Sequence, residues 1–319
     1  MLIIRPRQRE DTPSIVALYS VQEAKLPLQT LEHYEAEHPL EASEAVGEQW
    51  VAVYNGERVG YSSFHPAWWT EDPTAYSLEL RVAERYGRHG VGTHLYEQTL
   101  SRLWSRGATR LLCWVRDDAS AGRSFAKKLG WRETGQTIQD YRLFTPDVSL
   151  EEFTNTEARL TQSGISIVTL AESEHWGEPF LFRLHSLCVN TEEASSDERS
   201  YASFLSWKAE ALQGTGATPQ TCWIAVEAGL PVGVTLLKRL GLEEAENDYT
   251  GVAPTHRGRG IATALKGKAI TWAQKAGVQW FHTSSEVGNA PMISINTRLG
   301  YRPGAVRREV ECKINSLKS

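Results

Sequence analysis

The sequence predicts an α/β (α+β) protein of two tandem domains, each mixing strands with helices. Three observations lead there. At 319 residues the chain is longer than one hydrophobic core usually spans. One pattern occurs twice: Val82, Gly90, Thr93, Leu95 and Leu129-Gly130 return 170 residues later as Val252, Gly260, Thr263, Leu265 and Leu299-Gly300, with Trp131 and Tyr301 following. In each copy, strand-like runs and helical periodicity alternate around a glycine-rich turn.

In the first copy a strand near Ile3 precedes helices between Asp11 and about Ala45. Trp50-Val51-Ala52-Val53, Asn55-Gly56 and Val59-Gly60 form a hairpin, because Asn-Gly supplies the positive φ angles that a two-residue turn demands. A strand ends near Val82, a helix runs from about 90 to 105, a strand covers 110–115, and a helix stops before Gly130 ahead of closing strands. The second copy repeats this with a strand at 165–170, a hairpin from Trp223, a central helix from about Gly260 and a last helix ending before Gly300. Its hairpin is offset by 173 residues rather than 170.

Between the copies, Ser149-Leu150-Glu151-Glu152 reads as an N-capped helix that runs to about Gln162 and is stopped by Ser163-Gly164. The expected boundaries are a domain at 1–147, a helical linker at 148–163 and a domain at 164–319. The stretches 190–200 and 214–219 read as loops.

With 41% hydrophobic and 23% charged residues, the composition is that of a globular chain rather than a disordered one. A net charge of -5 and a pI near 6.0 argue against holding nucleic acid or an anionic membrane by overall charge. Cys113, Cys188, Cys222 and Cys312 lie far apart without a C-x-x-C pair, so neither a zinc site nor a disulfide framework is expected. The start meets Arg5 and Pro6 at once, and no run approaches the roughly 20 apolar residues of a membrane span, so a cytoplasmic monomer or homodimer is expected.

The chemistry concentrates at 248–262. Asp248 to Val252 reads as a strand, Ala253-Pro254-Thr255-His256 as a turn, and Arg257-Gly258-Arg259-Gly260-Ile261-Ala262 as a loop entering a helix whose Ile261, Leu265, Ala269 and Trp272 share one face. Two glycines at a helix start let the backbone approach an anion, while the first amides and the helix dipole point at it. Arg257 and Arg259 add charge-assisted contacts suited to a pyrophosphate. Lys266 and Lys268 are expected in solvent. A dinucleotide fingerprint fails because Thr263 holds its third glycine position, and a Walker loop fails because no G-K-[ST] follows. A structural turn with exposed arginines is the alternative.

The run Val252-x-Pro254-x-x-Arg257-Gly258-Arg259-Gly260-Ile261-Ala262 resembles the [RQ]-x-x-G-x-[GA] acetyl-CoA signature of the GNAT superfamily, and 289–301 is similar to the N-x-P-M-x-x-x-N-x-x-L-G-[FY] helix of some members. The likeness spans nearly the whole chain, as in two-domain members such as mycothiol synthase, which offer an analogy for architecture and none for substrate. The resemblance implies a mixed, mostly antiparallel sheet splayed between its fourth and fifth strands and flanked by helices. It implies acetyl-CoA as co-substrate and no metal. Val252, Ala253 and Pro254 would line the pantetheine arm, Arg257 to Ala262 would cradle the pyrophosphate, and Asn289 and Asn296 would bond the cofactor. For Asn289 a helix N-cap, and for Asn296 a contact within the helix, are the plainer readings.

The first copy departs from the signature. Gly87 stands where Arg or Gln is wanted, and Ala119 and Ala126 match the two asparagines. Val82, Ala83, Arg88, Gly90 and Gly92 make at most a weaker second site, with Arg88 or His89 supplying charge. This copy reads as weakened or non-catalytic.

No nucleophile arrangement is recognisable, so direct attack of a small amine on the thioester is the expected chemistry. The resemblance implies a backbone N–H of Val252 or Ala253 for the oxyanion and a strand carboxylate as base, first Asp248 and then Glu246. These share a face with Thr250 if the strand is regular. The family's proton-donating tyrosine is matched by Asn296, which leaves that role vacant, and Tyr301 is expected to pack in the core. Trp68, Trp69, Trp176 and Trp207 line a pocket or anchor packing. An acyl-CoA-binding protein without catalysis is the competing reading.

Overall fold

The computed structural model describes residues 1–22, 47–67, 70, 72–191 and 218–314. In chain order these form β1 (Leu2–Pro6), α1 (Thr12–Gln22), β2 (Glu48–Tyr54), β3 (Glu57–Pro66), β4 (Ala75–Val82), α2 (Val91–Ser105), β5 (Arg110–Arg116), α3 (Ser120–Lys128) and β6 (Arg132–Phe144). There follow α4 (Glu151–Gln162), β7 (Ile165–Thr169), α5 (Gly177–Thr191), β8 (Cys222–Glu227), β9 (Leu230–Arg239), β10 (Glu244–Val252), α6 (Ile261–Lys275), β11 (Trp280–Glu286), α7 (Ala290–Arg298) and β12 (Arg302–Lys313). Most of the helical stretch expected after Asp11, residues 192–200 and most of 214–219 of the expected loops, and Trp68, Trp69 and Trp207 lie outside the described residues, while residues 190 and 191, expected as loop, end α5.

The chain divides into two compact units. The first comprises residues 1–138 and 305–319, the second 139–304. The boundary differs from the sequence expectation at two places. The end of the chain groups with the first unit, because Arg307 to Lys313 of β12 pair antiparallel with β5 and bury Val310, Cys312 and Ile314 in that unit's core. The helix α4, expected as a linker, belongs to the second unit, where Phe153 and Leu160 enter the core. Its N-cap falls on Leu150 rather than Ser149, whose Oγ lies 3.5 Å from the Glu151 N–H. Gly164, at φ +85°, ends it as expected.

In the first unit the strand order is β1-β2-β3-β4-β5-β12. All pairs are antiparallel except β4 with β5, which run parallel. That parallel pairing covers only Ala75, Tyr76 and Ser77 against Arg110, Leu111 and Leu112, after which β4 continues to Val82. Helix α2 buries Val91 and Leu95 among Ala52 and Val59, and Leu100 and Leu103 among Phe64, Leu78 and Leu111.

The second unit has the order β7-β8-β9-β10-β11-β6. Here β10 and β11 pair in parallel at Glu244, Ala245 and Glu246 only, while β10 stays paired with β9 up to Val252. The strands therefore part company where β10 approaches the glycine-rich turn, which is the splay the resemblance implied. One sheet face packs on α6 through Ala245, Ile261, Leu265, Ile270 and Phe281, and the other on α5 through Phe180, Leu184, Ile224 and Val234. A fully buried aliphatic or aromatic side chain of this kind contributes about 1.5–3 kcal/mol. Helix α4 lies so close to α6 that a Cβ at Gly267 would sit 2.5 Å from the Phe153 ring.

Candidate functional site

The turn after β10 is a 3-10 segment at Pro254–His256, followed by an extended Arg257 and two left-handed glycines. Gly258 has φ +76° and Gly260, the N-cap of α6, φ +87°. A Cβ on either would be strained, and at Gly260 it would also meet Thr156 of α4 at 3.0 Å. The N-cap offers no side-chain bond to the helix, so the first amides of α6 keep their donors for an outside acceptor. These features fit a pyrophosphate.

The charges around the turn are organised. Arg257 is exposed and its Nε donates to the Val252 carbonyl oxygen at 3.3 Å. Arg259 and His256 both meet Glu227 of β8, at 3.1 and 2.8 Å. The His256 and Arg259 contacts hold the Glu227 carboxyl below its ordinary range. Beside the turn is a cavity of about 300 Å³ lined by Glu152, Arg159, Arg259, Gly260, Thr263 and Arg298. Arg298 donates to Thr263 Oγ1 at 2.5 Å and pairs with Glu152 at 3.3 Å.

On the strand, the expected alternation is broken. A β-bulge lies between Asn247 and Tyr249, so Asp248 is the extra residue. Asn247 and Thr250 then share the α6 face and bond each other at 3.1 Å, while Tyr249 packs with the α5 face. Glu246, Asp248 and Thr250 therefore do not share a face, as a regular strand would require. Asp248 is exposed and meets Lys238 Nζ at 3.2 Å, and Glu246 is half-buried opposite His282 of β11.

Of the two backbone donors considered for the oxyanion, that of Ala253 is bonded to the Val232 carbonyl at 2.9 Å. Antiparallel pairing alternates, so the Val252 N–H points to the opposite edge of β10, into the splay. Asn289 caps α7, its Oδ1 accepting from the Met292 N–H at 3.1 Å. Asn296 is fully buried with neither side-chain polar atom bonded, which contradicts the reading of a satisfied contact within the helix. Tyr301 packs in the core as expected, and Trp176 packs against Phe180 with ring centroids 4.5 Å apart and planes tilted by 60°.

Two residues escaped the sequence reading. Lys266, expected in solvent, is 1% exposed: its Nζ donates to Asn247 Oδ1 at 2.6 Å and lies 5.3 Å from the Tyr301 ring centre. Burial pulls its amine down to about 7. Asn247, 2% exposed, was not singled out at all. The repeat carried a signal for Lys266, since Tyr96 matches it and sits in a helix face that is plainly core. Lys268 pairs with Glu157 at 2.6 Å.

In the first unit the turn keeps the backbone without the side chains. Glu84–Tyr86 repeats the 3-10 segment, Arg88 takes φ +63° where Gly258 stands in the other copy, and Gly90 takes φ +80°. Ala83 donates to the Val59 carbonyl as Ala253 does to Val232. His89 and His94 are turned onto the carbonyls of Gly87 and Gly90 at 2.8 Å, and Gly92, in the first turn of α2, lies beside the Phe125 ring. Among the described residues, no group of three or more His, Cys, Asp or Glu is placed to hold a metal, and no helix is long and apolar enough to cross a membrane.

A mixed sheet that opens beside a glycine-rich helix entry, present twice, is a tandem acetyltransferase architecture. The model of the acetyltransferase (GNAT) family matches residues 15–131 and again 180–301, and the chain belongs to that family. The whole chain is similar in fold to a GCN5-related N-acetyltransferase from Sphaerobacter thermophilus (TM-score 0.70, 17% identity, 98% of this chain and 96% of that one). It is also similar to a tandem GNAT protein from the clavulanic acid biosynthesis pathway (TM-score 0.72, 18% identity, 98% and 99%). In sequence, 95 residues are 32% identical to a probable N-acetyltransferase 14 of Danio rerio, which covers 30% of this chain and about a third of that protein's length.

Proposed function

We propose that the second unit is an acetyl-CoA-dependent N-acetyltransferase acting on a small amine by direct attack, with the first unit a divergent partner that does not turn over. The observation that carries this reading is the Arg257 to Ala262 turn, complete in its signature and seated at the mouth of the β10–β11 splay. Bound acetyl-CoA supplies the thioester carbonyl that the amine attacks. Arg257, Arg259 and the first amides of α6 hold its phosphates, and Val252 to Pro254 line its arm. The Val252 N–H polarises the carbonyl from the edge of β10. Asp248, lifted out of the ladder by the bulge, takes the amine proton directly or through water, with Glu246 as the second candidate; as the C–N bond forms, the thioester C–S bond breaks and the coenzyme A thiolate leaves, taking its proton from solvent.

Thiol release from acetyl-CoA measured across a panel of small amines tests the proposal. Turnover with at least one amine is expected. Coenzyme A binding with no turnover on any amine would replace it with the binding-protein reading, which the vacant tyrosine position and the weakened first copy support.

A further inference from the structure

We propose that Lys266 is a positioning residue for acetyl transfer, holding Asn247 and through it the bulge that aims the end of β10. The inference rests on the transfer reading above for its activity arm only.

Asn247 is the knot of the bulge. Its Nδ2 donates to Thr235 Oγ1 at 2.8 Å, to the Leu236 carbonyl at 3.0 Å and to the Tyr249 carbonyl at 3.2 Å. Its Oδ1 accepts from Thr250 Oγ1 and from Lys266 Nζ, and its own carbonyl accepts from Thr283 Oγ1 at 3.0 Å. The last bond reaches β11 one residue past the final paired position, His282, where the splay begins. The Lys266 bond is the shortest of the set at 2.6 Å, and it is the one that ties the knot to a rigid helix. Rotating the Asn247 amide would break all three Nδ2 bonds and free the ladder at Asn247 to Tyr249.

Among the described residues the Nζ of Lys266 meets an amide oxygen and no carboxylate, which makes its burial costly, and a helix face of Ile261, Leu265, Ala269 and Ile270 calls for an apolar residue at this place. The first unit shows that alternative. Asn247 pairs with Leu237 where Leu78 pairs with Phe64, Lys266 is matched by Tyr96, and Thr283 by Cys113. With these apolar or weakly polar residues, β4 pairs with β3 in unbroken register and has no bulge. The lysine, the asparagine and the bulge occur together in one copy and are absent together from the other.

The test uses the full chain carrying Lys266→Met, with Lys266→Tyr, the first copy's residue, as a second variant should the first not fold. Hydrogen exchange at residues 247–252 is expected to speed by about tenfold or more, and kcat to fall by about tenfold with KM for acetyl-CoA within about twofold. Asn247→Leu removes the Lys266 bond together with those to Thr235, Leu236, Tyr249 and Thr250, so it should lose at least as much, and the double variant should be no worse than Asn247→Leu alone because the Lys266 bond is already gone. A merely structural lysine predicts the opposite sign in thermal stability, since Lys266→Met should leave the melting temperature equal or higher. Unchanged exchange at 247–252, or a kcat within about twofold of the parent, overturns the inference. A parent that turns over no amine overturns the transfer reading alone, and the exchange measurement then still decides the role of Lys266.

Discussion

In the first unit β4 takes eight residues from Ala75 to Val82, whereas in the second β10 takes nine from Glu244 to Val252 and absorbs the extra one as a bulge. The turns beyond them superpose in conformation, φ +63° and +80° at Arg88 and Gly90 against +76° and +87° at Gly258 and Gly260. At the turn and the last helix, side chains rather than backbone separate the copies, with Gly87 for Arg257, Ala119 for Asn289 and Ala126 for Asn296; on the strand, Leu78 for Asn247 and Tyr96 for Lys266 go with the loss of the bulge. Strand and helix fix the turn from both ends by packing, so its shape survives while ligand-holding groups are lost one at a time. Arg88 even keeps a left-handed φ that disfavours a side chain.

The largest effect expected from breaking this comparison concerns which unit owns the last strand. Ile314 is fully buried in the first core, so Ile314→Ala should destabilise that unit by about 2–5 kcal/mol. Hydrogen exchange should then rise in β5, at 110–116, and stay unchanged in β11; a rise confined to β11 would return the strand to the second domain.

Next in size is the phosphate turn. Arg257→Ala combined with Gly260→Asp should weaken coenzyme A binding by about 100-fold in titration calorimetry, through loss of a charge-assisted contact, a carboxylate at the helix start and strain at φ +87°. The matched change Gly90→Asp, assayed well below the melting temperature, should leave turnover within about twofold. Equal loss from both changes would make the copies equal partners.

A smaller effect separates Lys266 from Tyr96. The Lys266 amine titrates near 7 in the folded chain against an ordinary 10.5. Between those values the unfolded chain holds one more proton, so stability rises with pH there by up to about 1.4 kcal/mol per unit, and the slope vanishes below about 7 where both states are protonated. Urea unfolding at pH 6, 7.5 and 9 should show this slope in the parent and its loss in Lys266→Met, while Tyr96→Phe should leave it unchanged.

The smallest effect is at Arg88. Replacing it with glycine relieves the left-handed backbone but adds chain entropy in the unfolded state, so a gain of no more than about 1 kcal/mol is expected, read as a slight rise in melting temperature.

The sequence by itself determined the tandem repeat, the hairpins, the glycine-rich helix entries and the family, because these depend on local backbone demands and on spacing along one chain. Gly258, Gly260 and Asn289 were legible for that reason, each answering to a φ angle or a helix end. Only the tertiary structure decided where β12 goes, since a strand's pattern shows that it pairs and not with which sheet. The bulge at Asp248 was equally hidden, because one extra residue leaves no mark in composition and yet exchanges the faces of everything after it. Lys266 shows the reason most plainly. Its charge argued for solvent, and only the packing of α6 against β10 and Tyr301 puts it in the core, where its partner is an asparagine that no motif or spacing singles out.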